Sequence, residues 1–143
     1  MADNTRIEWT DVGALAVALF LAAPASADLT LRVIDGDTVE AGGVTYRLPN
    51  VDAAEPGAPC AEGRDAAERA TRALARFLAG GRIEIVRTGR SCGWGRACAD
   101  LIVNGESAVE TGLAAGWLRP WPSCAAGRCR GADRPDWCEG ESR

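Results

Sequence analysis

Apolar and polar residues alternate through residues 29–34, a period of two that predicts a strand, and residues 37–40 continue it. Ala41-Gly42-Gly43 predicts a turn, and residues 44–51 the returning strand of a hairpin. Pro56, Gly57 and Pro59 mark residues 52–62 as loop. The period then changes. Residues 62–79 are Ala-rich, with Leu74, Phe77 and Leu78 at helical spacing, and Gly80-Gly81 ends the run. Residues 82–87 alternate again, 88–95 read as a Gly-rich loop, and 97–103 as a further strand closed by Asn104-Gly105, a strong hairpin-turn signal. Residues 108–115 predict a short helix stopped by Gly116, and from Trp117 onward the Pro-, Cys- and Arg-rich chain predicts irregular structure. Strands, helix, strands, short helix is the order of a small β-barrel with helices packed on it, an α+β arrangement of OB-fold type.

An uncharged apolar run at residues 12–24 precedes Ala25-Ser26-Ala27, a small-residue cleavage pattern. It suits a signal-peptide core better than a membrane span, although Asp3, Glu8 and Asp11 outnumber Arg6 ahead of it. The expected organisation is a signal peptide at 1–27, one domain at 28–121, and a Cys-rich tail at 122–143 that belongs to the same domain. This predicts a secreted or periplasmic monomer with no stable membrane insertion after cleavage. Cys60, Cys92, Cys98, Cys124, Cys129 and Cys138 all follow the cleavage pattern. An even count in a short exported chain reads as a disulfide framework, and the spacing does not choose the pairing. A thiolate zinc site ranks below it, because the C-x2-C knuckle is missing.

The 143 residues include 16 basic and 20 acidic side chains, for a net charge of −4. That balance argues against a protein that coats nucleic acid, but not against one that grips a single phosphate. Every basic residue is Arg, which compositional drift explains far more readily than phosphate recognition does. The chain has no His, so imidazole acid–base chemistry and His-ligated zinc are excluded and any hydrolysis falls to carboxylates and guanidiniums.

Asp35-Gly36-Asp37 sets two carboxylates on one face of the strand pattern, a costly pairing unless a cation or an Arg lies between them. Arg47, Asp52 and Glu55 are charged residues in or beside an apolar strand, where burial requires partners. Arg96 follows Gly93-Trp94-Gly95, whose backbone freedom lets it reach across a site. Singly, each is more readily a polar turn or a solvated charge.

Together, Val33-Ile34-Asp35-Gly36-Asp37-Thr38-Val39, Arg47 with Asp52 and Glu55, the 62–79 helix, Gly95-Arg96 and Gly112-Leu113-Ala114 resemble the staphylococcal nuclease-like (thermonuclease) family, over residues 32 to 117. The resemblance implies an OB-fold β-barrel with helices. It also implies a secreted Ca2+-dependent nuclease of low sequence specificity, a metal-dependent phosphodiesterase with DNA or RNA as substrate. Asp37, Asp52 and the backbone carbonyl of Ala53 would hold Ca2+, with Asp35 and Thr38 behind them. Glu55 would orient or deprotonate the attacking water, and Arg47 and Arg96 would clamp the phosphate. Trp94 would stack on a base or, equally, cap the core. The segment 104–112 is shorter than the family's by roughly one helical turn, and the Cys-rich tail stands where a helix is usual. A Cys92–Cys98 bridge would stiffen the loop before Arg96, or either cysteine could tie to Cys60. The alternative is a catalytically inactive OB-fold binding module of the cell envelope.

Overall fold

The computed structural model describes residues 30–140. The expected signal peptide at 1–27 lies outside them. A hairpin of β1 (Leu31–Asp35) and β2 (Thr38–Ala41) continues into β3 (Val44–Arg47), each pair antiparallel. The short β4 (Val51–Asp52) follows, then α1 (Ala61–Leu78), β5 (Ile83–Ser91), β6 (Ala97–Val103), β7 (Glu106–Ser107) and α2 (Ala108–Ala115). The tail adds β8 (Arg119–Pro120), α3 (Pro122–Ala125) and a 3-10 turn at Gly131–Asp133.

The main sheet runs β1-β2-β3-β6-β5, with β7 on β6, and β3 pairs with β6 in parallel. A closed barrel needs its first and last strands to share a ladder. Here the ends of the path, β1 and β5, do not pair with each other, and β5 runs out exposed from Arg87 to Ser91. The sheet is therefore mixed and open. This corrects the expected OB-fold barrel, and with it the assignment to the staphylococcal nuclease-like family, which is characterised by that closed barrel.

Two local expectations also change. The strand expected over 44–51 breaks after Arg47, because Pro49 has no N–H to give a ladder and Asn50 adopts a left-handed φ of 63°. Val51 and Asp52 then pair with Pro120 and Arg119 in a separate two-stranded ribbon. Asp35-Gly36-Asp37 is not continuous strand: Asp35 ends β1, and Gly36-Asp37 is the tight turn into β2. Gly36 is needed there for close approach, since a Cβ on it would lie 2.5 Å from the Ala70 Cβ and 2.8 Å from the Ala53 Cβ.

Helix α1 buries Gly63, Ala67, Ala70, Leu74 and Leu78, one stripe at helical period, of which Ala70, Leu74 and Leu78 join the core cluster. Its small residues let the helix come close to the β1–β2 turn. Cys60 caps it, the sulfur accepting from the Gly63 N–H. Leu48, Leu74, Leu101 and Leu118 are the largest fully buried apolar side chains, joined in the core by Leu78, Val39, Val51 and Tyr46.

Apart from β8, α3 and the 3-10 turn the tail is irregular chain, as expected, and it is held by its own contacts. Asp133 accepts from the Ser123 N–H (2.7 Å), the Ser123 hydroxyl (2.6 Å) and the Trp121 indole (3.2 Å). The disulfides are Cys60–Cys138, Cys92–Cys98 and Cys124–Cys129, so the first ties the chain end to the start of α1. Such a framework belongs to an oxidising, non-cytoplasmic environment of extracellular type. Among the described residues no helix is long and apolar enough to cross a membrane.

Candidate functional site

Strand β3 ends by carrying Arg47 beneath the β1–β2 turn. That residue is 5 % exposed. Nη1 donates to the Val51 carbonyl at 3.0 Å and the Leu48 carbonyl at 3.4 Å. Nη2 donates to Asp37 Oδ2 at 3.1 Å and Asp52 Oδ1 at 3.4 Å. Asp37 is completed by the Thr38 hydroxyl at 2.8 Å and the Ala53 N–H at 2.9 Å. A buried charge is tolerated only when paired and hydrogen-bonded, and Arg47 satisfies Asp37 and Asp52 together.

Asp52 has no exposed surface, and burial pushes its carboxyl above the usual carboxylate range. Opposing that, Arg134 reaches back from the tail. Its Nε donates to Asp52 Oδ1 at 3.0 Å and its Nη2 to Glu55 Oε1 at 2.7 Å, while the Trp137 indole donates to Asp52 Oδ2 at 3.0 Å. Burial lowers the affinity of Arg134 for its proton, but the bonds to Asp52 and Glu55 outweigh it and hold the guanidinium above its ordinary value. Asp35 accepts from the Asp37 N–H at 3.1 Å. Burial, then the charges of Asp37 and Glu55, push its carboxyl up to about 6.

The loop from Cys92 to Arg96 forms the opposite wall. Gly93, Trp94 and Gly95 take successive φ values of 74°, 55° and 74°. The left-handed Trp94 costs about 1–3 kcal/mol, and the loop is held by the Cys92 N–H to Arg96 carbonyl bond (2.9 Å) and the Cys92–Cys98 bridge. Trp94 is 94 % exposed, which removes the core-capping role and leaves a side chain free to stack. Arg96 folds back on its loop, donating to the Gly93 and Cys92 carbonyls at 3.2 Å each. Burial and the charge of Arg47 lower its proton affinity.

Between these walls lies a cleft of about 720 Å3 lined by Arg47, Arg90, Arg96, Arg134, Glu55 and Trp94, with Trp121 among its remaining walls. Arg47 and Arg134 are neutralised by Asp37, Asp52 and Glu55. Among the described residues Arg90 and Arg96 form no ion pair.

The structure thus joins Asp35, Asp37, Thr38, Arg47, Asp52, Ala53 and Glu55 into one continuous set, with Arg96 and Trp94 across the cleft. It does not make that set a cation site. Arg47, Thr38, Arg134, Trp137 and the Ala53 N–H take the oxygens of Asp37 and Asp52. Among the described residues no buried polar side-chain atom lacks a partner, and no group of three or more acidic, His or Cys side chains could hold a metal. With neither the closed barrel nor a metal-coordinating cluster, the expectation of a Ca2+-dependent nuclease is corrected, as is the alternative of an OB-fold binding module. The residues that sequence reasoning missed are Arg134, Trp137 and Trp121, all from the tail read as irregular. The signal available was the density of Trp, Arg and Cys there.

No protein-family model matches the chain, and no curated protein matches it.

Proposed function

We propose that the cleft binds a phosphate ester or comparable multivalent oxyanion. The observation that carries this is the placing of two guanidiniums that form no ion pair among the described residues, Arg90 and Arg96, in a cleft whose other two arginines are already neutralised. Guanidinium forks match the oxygens of phosphate, and two of them suit a dianion. Trp94 and Trp121 supply apolar walls for the ester group.

Hydrolysis of a bound phosphate ester is the chemistry this arrangement favours. Glu55 is the one carboxylate among the described cleft-lining residues. Arg134 takes its Oε1, leaving Oε2 to accept a proton. The water oxygen would bond to phosphorus, its proton passing to Glu55, while the leaving oxygen departs with the electrons of the broken P–O bond. Arg96 would stabilise the charge gathering on the phosphoryl oxygens. The disulfides support a secreted or periplasmic setting for this activity.

The test is calorimetric titration of the oxidised protein with pyrophosphate, followed by turnover of bis(4-nitrophenyl) phosphate. We expect binding that weakens with salt and falls about tenfold or more in Arg96→Ala, and turnover lost in Glu55→Gln. Folded protein that binds no pyrophosphate would sink the reading. Binding of a single-stranded oligonucleotide, weakened in Trp94→Ala, would assign the phosphates to nucleic acid.

A further inference from the structure

We infer that Arg134 is the resident cation of the Asp52–Glu55 carboxylate pair, delivered by the disulfide-tied tail to the position a free cation would otherwise fill. This goes beyond oxyanion binding and does not rest on it. Asp52 is fully buried and Glu55 is half exposed, and a single guanidinium nitrogen of Arg134 lies 2.9 Å from Asp52 Oδ1 and 2.7 Å from Glu55 Oε1. Two carboxylates converging on one point repel each other unless a positive charge lies between them. Arg47 does not serve both, since it reaches Asp37 and Asp52 but forms no ion pair with Glu55.

Three independent contacts set the position of Arg134. Its guanidinium stacks over the Trp121 ring at 5.3 Å. Three residues on, the Trp137 indole donates to the other oxygen of Asp52. One residue further, Cys138 is covalently joined to Cys60, which caps the helix that follows Glu55 in sequence. The tail is therefore the element that makes the site independent of added metal, and removing Arg134 leaves Asp52 and Glu55 short of one positive charge.

The experiment compares wild type with Arg134→Met, both oxidised and treated with chelator. It reads thermal unfolding with added Ca2+ or Mn2+, and Trp-sensitised luminescence with Tb3+. Wild type should show no cation shift and no Tb3+ signal. Arg134→Met should melt lower in chelator and regain about 5 °C or more with millimolar cation, with Tb3+ luminescence appearing and lost again in Arg134→Met/Glu55→Gln. Arg134→Lys, which restores the charge, should respond to cation less than Arg134→Met. If Arg134→Met does not fold, the Cys60→Ser/Cys138→Ser pair, which frees the tail, should show the same gain of cation response. Wild type shifting as far as the variant would overturn the inference, as would a folded Arg134→Met that no cation stabilises. Neither result touches pyrophosphate binding, so failure here is distinct from failure of the cleft as an oxyanion site.

Discussion

Arg134 donates to Asp52 across 82 residues of sequence, at 3.0 Å from Nε to Oδ1. That bond joins the tail to the β4 ribbon beneath the cleft. It makes the last part of the described chain a wall of the site rather than an appendage, and it explains how a carboxylate with no exposed surface stays compatible with folding.

The covalent side of that attachment is measurable. Cys60 and Cys138 are 78 residues apart, and closing a loop of that length restricts the unfolded chain by about 4 kcal/mol. Cys60→Ser/Cys138→Ser should lose that order of stability in guanidinium titration at an altered slope, with faster amide exchange over residues 131–140. An unchanged midpoint would mean that the tail's noncovalent contacts suffice.

Arg47→Met should be among the most damaging single substitutions. It removes the partner of buried Asp37 and a partner of buried Asp52 while leaving both carboxylates in place, which costs about 3–5 kcal/mol. Adding Asp37→Asn should recover part of the loss, because the orphaned charge is gone. Additive losses in the double variant would show that Arg47 acts through its bonds to the Leu48 and Val51 carbonyls instead.

Local periodicity carried most of the elements. The helix expected over 62–79 and the strand over 97–103 rest on repeating apolar positions, and both formed within a residue or so. Closure of the sheet is different in kind. It depends on whether β1 and β5 share a ladder, a long-range pairing that no local period encodes, so a strand order typical of barrels was compatible with an open sheet. The site divides the same way. Asp37, Arg47, Asp52 and Glu55 were visible as charges embedded in or beside apolar strand, since burial there demands partners. Which partners they take was not visible, because Arg134 and Trp137 lie about eighty residues downstream and meet them only through the tail's return.

Acid should loosen the tail before the sheet. The Ser123 side-chain bond, then the Ser123 N–H and the Trp121 indole, hold the Asp133 carboxyl below its usual range. A group whose folded value is depressed contributes stability that is present above its unfolded value and lost as pH falls through the folded one. Residues 121–134 should therefore lose amide protection, relative to the unfolded chain at the same pH, below roughly pH 4 while β6 remains protected. Asp133→Asn should abolish the pH dependence of that protection. A segment whose protection is flat from neutral pH to the acid limit would show that Asp133 does not anchor it.

The approach of α1 to the β1–β2 turn can be tested through Gly36. A methyl there would fall 2.5 Å from the Ala70 Cβ and 2.8 Å from the Ala53 Cβ, both nearer than real Cβ atoms come, so either the helix or the β4 approach must move. Such overpacking costs about 1–3 kcal/mol. Because Asp37 and Ala53 are themselves bonded through the Ala53 N–H at 2.9 Å, displacement should reach the carboxylates as well as the core. Gly36→Ala should therefore lower both the melting temperature and pyrophosphate affinity. Ala70→Gly in the same chain removes one of the two clashes, at the helix-propensity cost of about 1 kcal/mol. The two substitutions should together cost less than their sum, by a coupling that a double-mutant cycle resolves. Recovery should stay incomplete, since the Ala53 methyl remains. Strict additivity would mean that Gly36 is required for the turn's own backbone and not for the distance between helix and sheet.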